Sequence, residues 1–397
     1  MVSEMQAVQV SRKVKATSEA AYKAFTRDVG FREWLSDSAY TQNREGGKIL
    51  LIWNSGYAAT GTFEKLDKGK QVIFTWQGLG EPETSRVQVD IKATGETCMV
   101  TVTHTGEDSQ ERLDQIAKDW ETGLENLQSV LEDGLDLRIT RRPMLGILVD
   151  FMDDAVAKRL GLPENKGIRL GDVLDGMGAQ AAGLQKDDVI VKMGGVDINS
   201  GSDLPKAIEG KFAGDAIEVG FYRSGKLQSV NMILSGRWIP EVPTSPVDLA
   251  AEIEKMYAQV MQELDALLEG VSEEEASRQP AEGEWSAKEV IVHLALGERD
   301  TQYYIGTLLS DDETIAALNN QPARIKAFLA AHPTLKDVRA ELVRAQKETA
   351  VFVRELPNEF VSYKPTYSRL GQGMLQGAFH PQLHFDQIRA SIEAARS

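Results

Sequence analysis

The apolar residues of this chain change their spacing along its length, and no single core can satisfy every pattern. Between 8 and 105 they alternate with polar residues, as in half-buried strands; Val100, Val102 and His104 share one face, and Thr101, Thr103 and Thr105 the other. From 110 to 132 the period becomes helical, and Trp120, Leu124, Leu127 and Leu131 make one stripe. Short strand-like runs rich in glycine return over 140–236, and from Val247 onward the pattern is helical again. A chain of 397 residues predicts two to four domains at ~100–200 residues each. The spacing divides it into 1–138, 139–237, a linker over 238–246 and a last domain over 247–397. In the linker Pro240, Pro243 and Pro246 recur at every third position, which favours an extended, semi-rigid spacer.

Composition removes several classes of function. Acidic residues outnumber basic ones 60 to 44, and no segment is basic enough to follow a phosphate backbone, so nucleic acid is not an expected partner. No run approaches the ~18 apolar residues of a membrane span, and no membrane is expected. Cys98 is the one cysteine, which excludes an internal disulfide and a cysteine-based zinc site; an inert buried thiol is expected. The first ten residues hold no apolar core of signal-peptide length, so the expected location is the cytoplasm.

In the first segment a strand over 8–14 leads to a helix starting near Thr17-Ser18. Strands over 48–53, 57–66, 71–76, 85–91 and 98–105 follow, and the long helix over 110–132 closes it. That order describes an α+β helix-grip. With Arg32-Glu33-Trp34, Gly46-Gly47-Lys48, Gly61-Thr62-Phe63-Glu64-Lys65-Leu66, Val72-Ile73-Phe74-Thr75-Trp76 and Trp120-Glu121, the segment resembles the START-like (SRPBCC) superfamily. The nearest branch is that of the chaperone-ATPase activators. The resemblance implies an apolar small molecule held between sheet and helix, walled by Trp76, His104, Trp120 and Leu124; a filled core is the open alternative.

The second segment carries Leu145-Gly146-Ile147 and Gly167-Ile168-Arg169-Leu170-Gly171-Asp172-Val173-Leu174. Ala181-Ala182-Gly183-Leu184 then runs on through Asp187-Asp188-Val189-Ile190 to Gly194-Gly195-Val196. This mostly-β string resembles a bacterial PDZ domain of the high-temperature-requirement protease type. The resemblance implies strand addition: a partner's C-terminal peptide pairs with the strand over 147–150, and the turn at Leu145, Gly146 and Ile147 meets its carboxylate. Met177-Gly178-Ala179-Gln180 replaces the usual small-Pro turn, and 203–209 is expected to form the groove helix. Residues 1–138 show no serine nucleophile motif, so proteolysis is not expected.

The third segment reads as an all-α four-helix bundle, with helices over 250–268, from Ser286, over 335–356 and over 371–395. His380 and His384 stand four apart on one helical face, and His293 lies on the helix that Ser286 caps. Three imidazoles suit a divalent metal and leave the fourth position that a catalytic site needs. Zinc or nickel is the expected cofactor, since the chain offers no thiolate set. Trp285-Ser286-Ala287-Lys288-Glu289-Val290-Ile291-Val292-His293 with Glu298-Arg299-Asp300, and His380-Pro381-Gln382-Leu383-His384-Phe385-Asp386-Gln387-Ile388, resemble the DinB superfamily. That resemblance makes His293, His380 and His384 the ligands and implies a thiol transferase or metal-dependent hydrolase. Pro381 departs from the pattern and kinks a helix between two of them. Glu298 lies on the His293 helix but five residues on, and Asp386 is only two residues from His384; no certain general base is present, so no catalytic residue is assigned, and His332 reads as a loop residue. The alternative function is a non-enzymatic adaptor or ligand sensor whose bundle is a scaffold.

Overall fold

A computed structural model describes residues 6–107, 109–310 and 318–397; residues 1–5 of the N-terminal stretch judged above lie outside it. The chain forms two compact units, Met1–Leu135 with Pro240–Ser397, and Asp136–Ile239.

In the first unit β1 (Gln6–Val14) precedes α1 (Ser18–Ala24), α2 (Asp28–Trp34) and β2 (Ser38–Thr41). Then come β3 (Lys48–Ile52), β4 (Ala58–Asp67), β5 (Gln71–Gly78), β6 (Ser85–Thr94) and β7 (Thr97–Glu107), and α3 (Gln110–Asp133) closes the module. The strands form one antiparallel sheet in the order β1-β7-β6-β5-β4-β3-β2. Thr17 caps α1 by accepting from the Ala20 amide at 3.1 Å. Alternation decides which side of the sheet is covered: Val87, Val89, Val100 and Val102 are buried beneath the α3 stripe of Ile116, Trp120, Leu124 and Leu127. This is the α+β helix-grip.

The helical module of the same unit comprises α8 (Pro246–Leu268), α9 (Glu273–Ser277), α10 (Ala287–Leu309), α11 (Pro322–Ala331), α12 (Leu335–Arg354), α13 (Asn358–Ser362), α14 (Lys364–Gly377) and α15 (Phe385–Arg396). A 3₁₀ turn, His380–His384, separates α14 from α15. The sequence pattern predicts one helix over 371–395; Pro381 lacks the amide hydrogen that an α-helix needs there, and the chain tightens into the turn instead. The 240–245 stretch carries no helix or strand and lies on the bundle. Pro243 O accepts from Tyr367 OH at 2.9 Å, and Val242 fills the space over Gly371, where a Cβ would come within 2.3 Å of it.

The helix-grip also packs on α14. Glu33 is buried and accepts from Thr366 Oγ1 at 2.6 Å and Tyr363 OH at 3.1 Å. Gly134 (φ 70°) caps α3 so close to Ser368 that a Cβ would lie 1.9 Å from its hydroxyl.

The second unit contains α4 (Leu137–Thr140), β8 (Ile147–Asp150), α5 (Asp154–Arg159), β9 (Ile168–Val173), α6 (Gly178–Ala181), β10 (Val189–Met193), β11 (Val196–Asp197), α7 (Leu204–Ala207), β12 (Ala216–Arg223) and β13 (Lys226–Ile233). Its sheet runs β13-β12-β10-β9-β8, with β11 paired to β10. The groove helix is shorter than its predicted span, and a 3₁₀ turn over Gly201–Asp203 leads into it.

Candidate metal centre

Ser286 and Glu289 form a reciprocal cap that starts α10, with the Glu289 amide reaching Ser286 Oγ at 3.2 Å and the Ser286 amide reaching Glu289 Oε2 at 2.8 Å. The start fixed by that cap carries His293 two turns later to a site where the residue is only 5% exposed. The 3₁₀ turn brings His380 and His384 to meet it. One ring nitrogen from each of the three lies within 4.8 Å of the others.

The donor set fits a divalent ion. Four-coordinate bonds of ~2.0–2.1 Å put ligand nitrogens about 3.3 Å apart, and His380 Nε2 lies 3.1 Å from His384 Nε2. Gln387 Oε1 is 3.0 Å from His384 Nδ1; taking that proton fixes the tautomer that leaves Nε2 for a ligand bond. Both ring nitrogens of His293 are buried and without a hydrogen-bond partner among the described residues, which is costly unless something else meets them. Burial, then the charges of His384 and His380, lower the His293 pKa to about 4, against the Asn320 side chain and the Asn319 backbone. His380 is lowered as well, first by burial and then by His384. Neutral imidazole, the form a metal takes, is therefore favoured at neutral pH.

His380 also lines a cleft of about 550 Å³, within the range of small-molecule sites. Tyr257, Glu298, Tyr304, Arg369 and Met374 line it too. Glu298 Oε2 accepts from Tyr257 OH and from Thr349 Oγ1, each at 2.9 Å. Burial raises the Glu298 pKa against those two bonds, and burial followed by the Glu298 charge raises that of Tyr257. Tyr257, Tyr304 and Arg369 come from α8, α10 and α14, and no local motif marks them. His332 caps the end of α11 with its ring 4.7 Å from that of Phe328, outside the cluster.

In the second unit Leu145 and Gly146 precede β8, and Ile147 begins it. Gly146 has φ 71°, and a Cβ there would meet Met177 Cβ at 2.4 Å, so glycine is required twice over. β8 ends its sheet, and Leu148 (50%) and Val149 (54%) are exposed along it.

In the helix-grip Trp76, His104 and Trp120 contact one another in a triangle, each pair of ring centroids 6.2 Å apart, and Leu124 is fully buried nearby. Trp120 Nε1 donates to His104 Nδ1 at 3.1 Å. The ring proton therefore sits on Nε2, which donates to Ser85 Oγ at 2.7 Å, and Ser85 donates to Trp76 O at 3.2 Å. Burial lowers the His104 pKa to about 4.

Family models match each segment in turn: Activator of Hsp90 ATPase homolog 1-like protein over 15–132, PDZ domain over 143–234, and DinB superfamily over 256–388. The chain is a helix-grip module of the Hsp90-activator type, a PDZ domain and a DinB bundle. Among curated proteins, a probable periplasmic serine endoprotease DegP-like of Bartonella henselae is 31% identical over 113 residues, 28% of this chain and 22% of that protein. The periplasmic pH-dependent serine endoprotease DegQ of Escherichia coli K12 is 30% identical over 100 residues, 25% of this chain and 22% of that one. The chain thus spans about a fifth of the length of these relatives. The Aha1 dimer of Colwellia psychrerythraea is similar to 33% of this chain over 98% of its own, at 22% identity and TM-score 0.30. An HSP90 activator of Plasmodium falciparum matches 32% of this chain and 95% of its own, at 20% identity and TM-score 0.28. Among the described residues no helix is long and apolar enough to cross a membrane.

Proposed function

We propose that the DinB bundle holds one divalent metal through His293, His380 and His384 and uses the adjoining cleft for transferase or hydrolase chemistry on a small molecule. Such an ion polarises a bound oxygen or sulfur and favours its deprotonated form. The observation that carries the reading is the convergence of His380 and His384 on a buried His293 whose ring nitrogens have no hydrogen-bond partner among the described residues. Zinc or nickel suits an all-imidazole set. Within the same reading, the PDZ domain recruits a partner by its C-terminal peptide at β8, and the helix-grip binds an apolar molecule beside Trp76, His104, Trp120 and Leu124. The name of DegP-like relatives places those proteins in the periplasm; for this chain the cytoplasm is proposed, in keeping with a buried, unpaired Cys98, and cell fractionation tests it.

Metal analysis of the purified chain tests the centre. About one equivalent of metal is expected in the wild type and in His332→Ala, with loss in each of His293→Ala, His380→Ala and His384→Ala. Equal metal content across all five proteins would overturn it.

A further inference from the structure

We propose that Glu298 is a catalytic residue of the bundle's cleft, taking the proton of a hydroxyl, thiol or hydroxamic acid that enters it and returning that proton to the departing group. The proposal rests on the metal-dependent reading above and adds the proton carrier that the three histidines lack.

Glu298 lies on α10 five residues beyond His293, a rise of about 7.5 Å along a shared rigid helix. It lines the same cleft as His380. Its two carboxyl oxygens have different surroundings. Oε2 takes both hydrogen bonds, from Tyr257 on α8 and Thr349 on α12, while Oε1 makes none to a described residue and is not sealed from solvent. One oxygen is thus anchored and the other is left to exchange a proton with whatever fills the cleft. Tyr257 remains a donor because its own pKa is driven well up, first by burial. Burial moves the Glu298 pKa upward, towards the range in which proton transfer near neutrality is efficient.

The neighbouring charges are committed elsewhere. Asp300 on α10 also lines the cleft but pairs with Arg324 at 2.6 Å, and Arg299 pairs with Glu341 at 2.8 Å. Arg369 donates to Tyr304 OH at 2.9 Å and lies 3.8 Å from Glu33. Among the described cleft residues Glu298 is the carboxyl without a cationic partner. In the step itself the X–H bond of the entering ligand breaks and the Oε1–H bond forms; the reverse transfer to the leaving group restores the carboxylate, so no proton is left over.

The test uses the zinc-loaded full chain and acetohydroxamic acid, a small protic chelator. Calorimetric titration in two buffers with different heats of protonation counts the protons released per molecule bound. Glu298→Gln keeps an acceptor for Tyr257 and Thr349, so fold and zinc content should match wild type. It should release about one more proton to the buffer than wild type does. Glu298→Asp should restore part of the uptake, and Tyr257→Phe, which loosens the anchor, should fall between. Equal proton counts in wild type and Glu298→Gln at equal zinc content would overturn the proposal, as would a zinc-loaded chain that does not bind the probe. A wild-type chain that takes up no zinc fails the metal reading itself, a distinguishable result.

Discussion

Burial holds His104 neutral. Its Nδ1 accepts from one tryptophan, and a second ring proton would face the Trp120 N–H head on. With a folded pKa of about 4 against ~6.5 unfolded, its contribution is fully present above pH ~6.5 and is lost as pH falls towards 4. The gap amounts to about 2–3 kcal/mol by pH 4.5. Urea unfolding of metal-free protein at pH 7 and pH 4.5 should show wild type losing that much more than His104→Gln; equal losses would mean that His104 does not titrate as described. Metal is removed so that its release from protonating ligands at low pH does not add to the loss. At this scale the sequence was partly informative. Alternation put His104 on the core face with Val100 and Val102, but its partners Ser85 and Trp120 lie 19 and 16 residues away, and only packing joins them.

The break between α14 and α15 sets the aim of two candidate ligands. Pro381→Ala restores an amide and removes the ring, so a continuous α-helix becomes accessible and His380 and His384 are re-aimed. Helix content by circular dichroism should rise, and zinc affinity should fall at least tenfold; unchanged affinity would mean the turn is incidental. At β8 the expected partner is a free C-terminus. A free-acid peptide with an apolar last residue should bind the PDZ domain, and its amidated counterpart should bind at least tenfold more weakly, because the turn at Gly146 has a carboxylate to meet. The long elements were legible because their periods are long: α3, α8, α10 and α12 and most strands lie within a few residues of the expected spans. The four-residue edge strand β2 and the one-turn helices α4 and α6 were not, since so few residues establish no period.

At the scale of the molecule the sequence suggests modules in series, and nothing local announces that the helix-grip packs on the bundle. Glu33 is the telling residue. It sits in a motif that marks the first family, yet its hydrogen-bond donors belong to the third. Glu33→Ala would strand two hydroxyls, at a cost of about 1–3 kcal/mol, whereas Glu33→Gln keeps an acceptor and should cost less. Scanning calorimetry should give separate transitions for the two compact units. Glu33→Ala should lower the one belonging to the helix-grip and bundle and leave the PDZ transition in place. A shift in both, or in neither, would show that the junction does not join the modules thermally.

The Glu33–Thr366 bond spans 333 residues of chain, which gives the junction a timetable. At about 5–20 residues per second, a ribosome needs on the order of 20–60 s to reach Thr366 after making Glu33. From the time α3 is made until α14 follows it, the helix-grip has its own sheet and closing helix but lacks the surface that covers Glu33. The carboxylate therefore begins life hydrated and is dried only when α14 emerges, so the last module to be synthesised completes the first.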